Sequence, residues 1–274
     1  MKKHKFGFTL AEGATHVAIP PVEHRRSFID VISAKICSKV PTPAEEGFTL
    51  AEVLITLGII GVVAAITIPN LIQNNFEKKT ISQLRETQSI ISQAVRMAEE
   101  EYGDVEGWVY MDIASSNQDR YDEWSKLTLK ITENLRPFMK FALDCGTFDE
   151  EYKCIGKSYK HLNLKPLQDY NKEPYKYKVM LLNGSTVMWQ PTTGTKENPD
   201  TLIQFNIDTN GPSKPNIYGK DVFLFEYTQR GLVPMGAPGT LYEYNKTCKL
   251  DQNGSGCAYY VLNFGNMNYL HKKK

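Results

Sequence analysis

Charge imbalance is the first thing this chain lacks. Thirty-two Lys and Arg stand against 31 Asp and Glu, a formal net charge of +1. Residues 1–47 hold seven basic and five acidic side chains, leaving 25 and 26 in the remainder. A nucleic-acid partner needs a clustered basic field, so none is expected. The closing run Lys272, Lys273, Lys274 reads as a solvated tail or a small docking or phosphate patch. Histidine is scarce: of five, His4, His16 and His24 precede Phe48, which leaves His161 and His271. No G-x-S-x-G, H-E-x-x-H, P-loop or G-x-G-x-x-G is present, which excludes the chemistries those spacings support. His161, between Lys160 and Lys165, reads as a surface residue, and Asp144, Asp149, Glu150 and Glu151 read as solvated rather than as an acid–base pair. Tyr159, Tyr170, Tyr175, Tyr177, Trp189, Tyr218 and Tyr227 read mostly as strand packing. No enzymatic activity is expected.

Cysteine is limited to five residues, and Cys37 stands apart near the start. The other four form two pairs of equal spacing, Cys145/Cys154 and Cys248/Cys257. An even number in equal pairs favours two local disulfides in an oxidising compartment. In the chain-entropy picture, closing a loop of about ten residues contributes ~2–3 kcal/mol. A Cys₄ zinc site is disfavoured, because zinc prefers spacers of two to four residues between paired ligands. Free buried thiols and cross-pairing between the two segments remain open alternatives.

Long hydrophobic runs are equally few, and the exception is informative. Residues 47–69 read GFTLAEVLITLGIIGVVAAITIP, long enough to span a bilayer and interrupted near the start by Glu52. A carboxylate inside hydrocarbon costs roughly 2.5–3.5 kcal/mol on insertion scales, so it marks a function and calls for a partner. The composition, 41% hydrophobic and 23% charged over 274 residues, suits one folded domain plus such a segment, or at most two small domains.

This string closely resembles the N-terminal signature of type IV pilins and type II secretion pseudopilins. The resemblance implies that a prepilin peptidase cuts after Gly47, that the new terminal Phe48 is N-methylated, and that Glu52 is the fifth mature residue. It further implies a single-pass inner-membrane subunit before assembly and an extracellular or periplasmic filament afterwards. Its partners would be other pilin subunits, the peptidase, an inner-membrane assembly platform and membrane lipid. In the filament Glu52 would meet the amino terminus of an adjacent subunit, offsetting two charges that leave water together. Pro69 falls where many relatives also carry proline and should kink or open the helix. Three functions fit the resemblance: a major or minor pilin, a secretion pseudopilin, and a pilin-like surface adhesin.

The leader is unusual. FGFTLAE at 6–12 repeats the string at 47–52, but GATHVAIPPVEHRR follows it and cannot span a bilayer. Residues 1–47 are therefore expected to be a leader with a partial duplicate of the motif, removed in the mature protein. Residues 48–72 should form a transmembrane or filament-core helix, and 73–103 the amphipathic half of the same helix. There Ile81, Leu84, Ile91, Val95 and Ala98 recur at spacings of three and four, and Tyr102-Gly103-Asp104 supplies a stop.

Residues 104–274 should form the globular domain. Short helices are expected at 122–129 and 132–143, the second interrupted near Pro137. Strands are expected at 175–182 and 185–189 around the Asn183-Gly184 turn, at 202–208 and 222–228, and more weakly at 231–235. Residues 255–264 fit a short helix or a last strand. The whole is an α+β, pilin-like arrangement: a long N-terminal helix packed on an antiparallel β-sheet. The loop at 208–221, DTNGPSKPNIYGKD, places Asp208, Asn210 and Asp221 between two strands. Hard oxygen donors on a turn suit calcium. Asp and Asn also build turns through their own backbone, so a plain well-ordered connection is the competing reading. Asp251-Gln252-Asn253-Gly254 is a second such turn, closed by Cys248 and Cys257.

Overall fold

The computed structural model describes residues 48–109, 117–192 and 201–271. Gly47 and the leader, Cys37 and residues 272–274 lie outside the described residues. The chain divides into two units, residues 1–57 and 58–274. In the first, helix α1 (Leu50–Tyr102) begins, and its residues Val53, Leu54, Ile55 and Leu57 are exposed.

In the second unit α1 continues through Pro69 and changes character. Gly58 to Ile72 stays exposed apart from half-buried Ala64, whereas Thr80, Leu84, Thr87, Ile91, Ala94, Val95 and Ala98 are buried. Their spacing of three, four and seven places them on one face. The helix ends where Gly103 turns to a φ of +80° and its N–H donates to Glu99 O, the left-handed stop that glycine provides without a Cβ clash.

After α2 (Val105–Val109) and α3 (Asn117–Leu135), six antiparallel strands follow in sequence order across one sheet. They are β1 (Phe141–Gly146), β2 (Tyr177–Leu181), β3 (Thr186–Pro191), β4 (Thr201–Asp208), β5 (Val222–Thr228) and β6 (Gly231–Pro234). The β2–β3 turn is the Asn183-Gly184 hairpin, with Gly184 at φ +81° and its N–H on Leu181 O. Two short helices, α4 (Tyr244–Thr247) and α5 (Cys257–Phe264), close the chain. Two expectations need correction. Residues 122–135 belong to one helix, α3, because the 3₁₀ turn at Arg136–Phe138 rather than an earlier break takes up Pro137. Residues 141–143 are strand, paired to β2 through an irregular register. Of the two readings of residues 255–264, the short helix is the one formed, as α5.

Strand side chains alternate between faces, and here both faces are covered. Val187, Trp189, Ile203, Phe205, Ile207, Phe223 and Phe225 join Leu84, Ile91 and Val95 of α1 in the larger core. Trp189, fully buried, stacks on Tyr177 at 5.2 Å and donates to Thr132 Oγ1 of α3. Gln83 donates to Asn183 O, Asn183 donates to Thr87, and Tyr227 donates to Glu99, tying α1 to the sheet from the hairpin to β5. The intervening residues Met188, Val222 and Leu224 face a second core with Ile155, Tyr159, Tyr170 and Tyr218. Every residue of β5 is therefore buried, and its near-continuous apolar sequence follows from cover on both sides.

Leu84→Ala is expected to destabilise the folded domain by about 2–5 kcal/mol, since it leaves a cavity in a packed site. Ile60→Ala removes an exposed side chain and should leave the transition unmoved. Thermal unfolding of the full chain in detergent, followed by near-ultraviolet circular dichroism, compares the two.

Candidate functional site

The start of α1 is built as a reciprocal cap. The N–H and hydroxyl of Thr49 both donate to Glu52 Oε2, each at 2.8 Å, and the N–H of Glu52 donates to Thr49 Oγ1 at 3.3 Å. This is a capping box, in which two orphan N–H groups of a helix end are satisfied by a Thr and a Glu three residues apart. Glu52 thus has a partner within its own chain, and its carboxylate is turned back toward residue 49. The T-L-A-E spacing carried that signal in the sequence. Phe48, immediately before the cap, is 86% exposed.

Along the apolar stretch, polar side chains return to the helix backbone. Thr56 donates to Glu52 O and Val53 O, Thr67 to Val63 O, and Asn70 to Ile66 O. Hydrocarbon offers no water to such groups, so local bonding lets them sit in it. Pro69 lies inside the helix without ending it. This stretch is the one candidate span among the described residues, and no part of its apolar window is buried within the chain.

Cys145 is bonded to Cys154 and Cys248 to Cys257. Asp149 sits within reach of the first pair, but the disulfide engages both sulfurs and zinc chemistry has no thiolate there. Asp149 corrects the expectation of a solvated loop. It is buried, and its carboxylate accepts from the N–H groups of Lys153, Cys154 and Ile155 at 2.7–3.0 Å. Asp144 instead pairs with Arg136 and accepts from Tyr177. His161 is half-buried rather than a surface residue, near the ring of Tyr218.

The second face of the sheet carries polar groups that no sequence pattern announced. Lys178 is fully buried and donates to Thr147 O and Lys176 O, and burial pushes its amine down to about 8 with Lys176 adding to the effect. Lys176 pairs with Glu173 at 2.9 Å. Asp208, at the end of β4, is fully buried and accepts from Tyr159 OH at 2.9 Å and from Asn210 N. Burial raises its carboxyl well above the usual range, and the nearby Asp221 carboxylate adds to the rise. Asp221, just before β5, accepts from Asn216 N and Ile217 N at 2.7 Å each, and burial lifts it to about 6. The loop therefore uses Asp208 and Asp221 to hold its own backbone, as the turn reading requires. Two amide oxygens of the same loop, Asn210 Oδ1 and Asn216 Oδ1, are buried without a partner among the described residues. Two carboxylates with two unmatched oxygens are a donor set that fits calcium by chemistry.

Comparison with known proteins returns two family matches. The prokaryotic N-terminal methylation motif matches residues 43–68, so the prepilin-type signature is present where Gly47, Phe48 and Glu52 placed it. A family of unknown function, DUF6613, matches residues 70–249. No curated protein and no solved structure matches the chain. The second match covers most of the chain, from the turn after Pro69 through the sheet to the second disulfide, and the chain belongs to that family of unknown function, joined here to an N-terminal methylation motif.

Proposed function

We propose that the protein is a structural subunit, major or minor, of a type IV pilus-like filament. It is held in the inner membrane by the apolar part of α1, cut after Gly47 by a prepilin peptidase, and assembled by bundling of its helix with those of other subunits on an inner-membrane platform. The observation that carries this reading is an apolar helix left uncovered by its own chain, opening on a capped glutamate inside the methylation motif. The apolar surface needs lipid before assembly and other helices after it. Glu52 has work in both settings. In the single chain its carboxylate is satisfied by Thr49; in the filament it meets the amine of an adjacent Phe48, fixing register as both leave lipid.

A type II secretion pseudopilin is the second reading, favoured by one observation. The loop oxygens Asn210 Oδ1 and Asn216 Oδ1 are unmatched in the same loop as two buried carboxylates, and calcium would be held by Asp208, Asn210 and Asp221 with Asn216. The ion would supply fixed positive charge that keeps both carboxylates ionised and ties the loop down.

Intact mass and N-terminal sequencing of the protein from its host membranes should give a chain that starts at Phe48, one methyl group heavier and four hydrogens lighter than the reduced sequence. Gly47→Ala should retain residues 1–47; normal processing of that variant would exclude Gly47 as the cleavage-site glycine. Glu52→Val should insert in the membrane as before but drop out of sheared filaments, and wild-type incorporation would count against the pairing.

The buried carboxylates set a pH dependence. Asp208 and Asp221 titrate higher in the folded protein than in the unfolded chain, so the folded state holds more protons between the two values. Their contribution is complete in acid, below about pH 4 where the unfolded groups titrate, and is lost as pH rises through about 6 for Asp221 and through the raised folded value for Asp208. In chelator-treated buffer the melting temperature should fall across that window, and Asp208→Asn should flatten the fall. At pH 7.5, ~1 mM calcium should restore it by binding the folded state alone. An unchanged melting temperature on calcium addition would leave the loop as a plain turn.

A further inference from the structure

Two adjoining cavities, each of about 420 Å³, open beside α1 just past its apolar stretch. They share Gln73, Lys220 and Leu270, so they form one groove between the helix and the loops around residues 164, 215 and 250. Ile72 and Phe76 of α1 and Leu270 give it an apolar floor, and Lys214 and Lys220 provide its charge. Lys220 Nζ lies 5.9 Å from the centre of the Phe76 ring. Neither lysine forms an ion pair among the described residues, and the one carboxylate in the lining, Glu77, is bound by His271 at 2.8 Å. The next residues of the helix, Lys78 and Lys79, are also exposed.

A second observation points the same way. Leu164 lines the groove, is 62% exposed, and holds a φ of +66°. A leucine in the left-handed region is strained and persists only where neighbouring bonds over-determine it. Here they do. Leu162 and Asn163 donate to Asn253 O and Gln252 O, Leu164 donates to His161 O, and His161 donates to Lys165 O. The tight loop thereby presents an apolar side chain outward beside unpaired lysines. That combination suits neither water nor a dry protein core, but it matches the boundary between phosphate headgroups and acyl chains.

We propose that this groove docks the globular domain onto anionic phospholipid of the membrane that holds α1. Phosphate sits against Lys214 and Lys220 while Leu164 and Ile72 enter the acyl boundary. The inference rests on the membrane-anchored reading above. It adds that the domain lies against the bilayer in a defined pose before assembly, and that the same face must leave lipid when the subunit enters a filament. Each lysine should favour docking about fivefold on an anionic surface, less so in high salt.

The test uses the full chain in a Cys37→Ser background, with Leu164→Cys carrying an environment-sensitive fluorophore, reconstituted in nanodiscs of phosphatidylcholine alone or with phosphatidylglycerol. A Gln229→Cys label in the β5–β6 turn is the control. Co-purification with discs reports the anchor independently, so its failure is distinct from failure of docking. The expected result is a blue-shifted emission at position 164 in phosphatidylglycerol discs, reversed by Lys214→Glu/Lys220→Glu and by high salt, with no shift at position 229. Equal emission in the two lipids would overturn the proposal. So would insensitivity to salt in the chain with both lysines intact, relief of the shift in phosphatidylglycerol discs by free inorganic phosphate at matched ionic strength, which would assign the site to the free anion, or a shift that follows the number of chains per disc, which would assign the groove to a second copy.

Discussion

Everything in this structure depends on one helix having two different environments along a single axis of sequence. From Thr80 onward α1 buries a stripe of small and branched side chains against the sheet, and those contacts anchor the larger core. Upstream of Pro69 the same element is apolar and uncovered. Apolar surface of that extent is costly in water, at roughly 25 cal/mol per Å², so the chain is incomplete without lipid or other helices. The first environment sets the domain's fold, and the second carries the function proposed above.

The polar groups inside the apolar stretch follow from this. Thr56, Thr67 and Asn70 each have a backbone carbonyl to bond, and Glu52 has Thr49. A carboxylate that is already satisfied locally can wait in a membrane without a second chain, and can be exchanged to a stronger partner when one arrives. The glutamate is therefore compatible with both the free and the assembled subunit, where an unpaired one would suit only the latter.

Much of the fold was legible because its signals are local. The stripe Leu84, Ile91, Val95 and Ala98, the Gly103 stop and the Asn183-Gly184 turn each report a period or a backbone requirement within a few residues. Where the reading failed, the deciding term was distant. Residues 141–143 become a strand because β2 is available to pair with them. The near-continuous apolar sequence of β5 reflects a second layer contributed by residues near Ile155 and Tyr170, far away in the chain. The site divided in the same way. Gly47, Phe48 and Glu52 form a contiguous word, and both disulfides were readable as equal pairs. Asp149 and Lys178 show nothing in sequence: their partners are backbone N–H and carbonyl groups, which every residue carries and no composition reveals.

The sheet order carries a consequence of its own. Strands β1 to β6 lie side by side in the order in which they occur in the chain, each antiparallel to the one before. A polypeptide threaded across a membrane from its N-terminal end delivers these strands one at a time, and each new strand finds its partner already waiting at the open edge. Only β1 waits unpaired, until β2 emerges, and no segment must be inserted between two that have already joined. Apart from the connection 147–176 between β1 and β2, each loop closure is short-range, which keeps the entropic barrier low. If the domain forms outside the cytoplasm, tethered at one end as proposed above, the direction of its export would also be a direction in which it can fold.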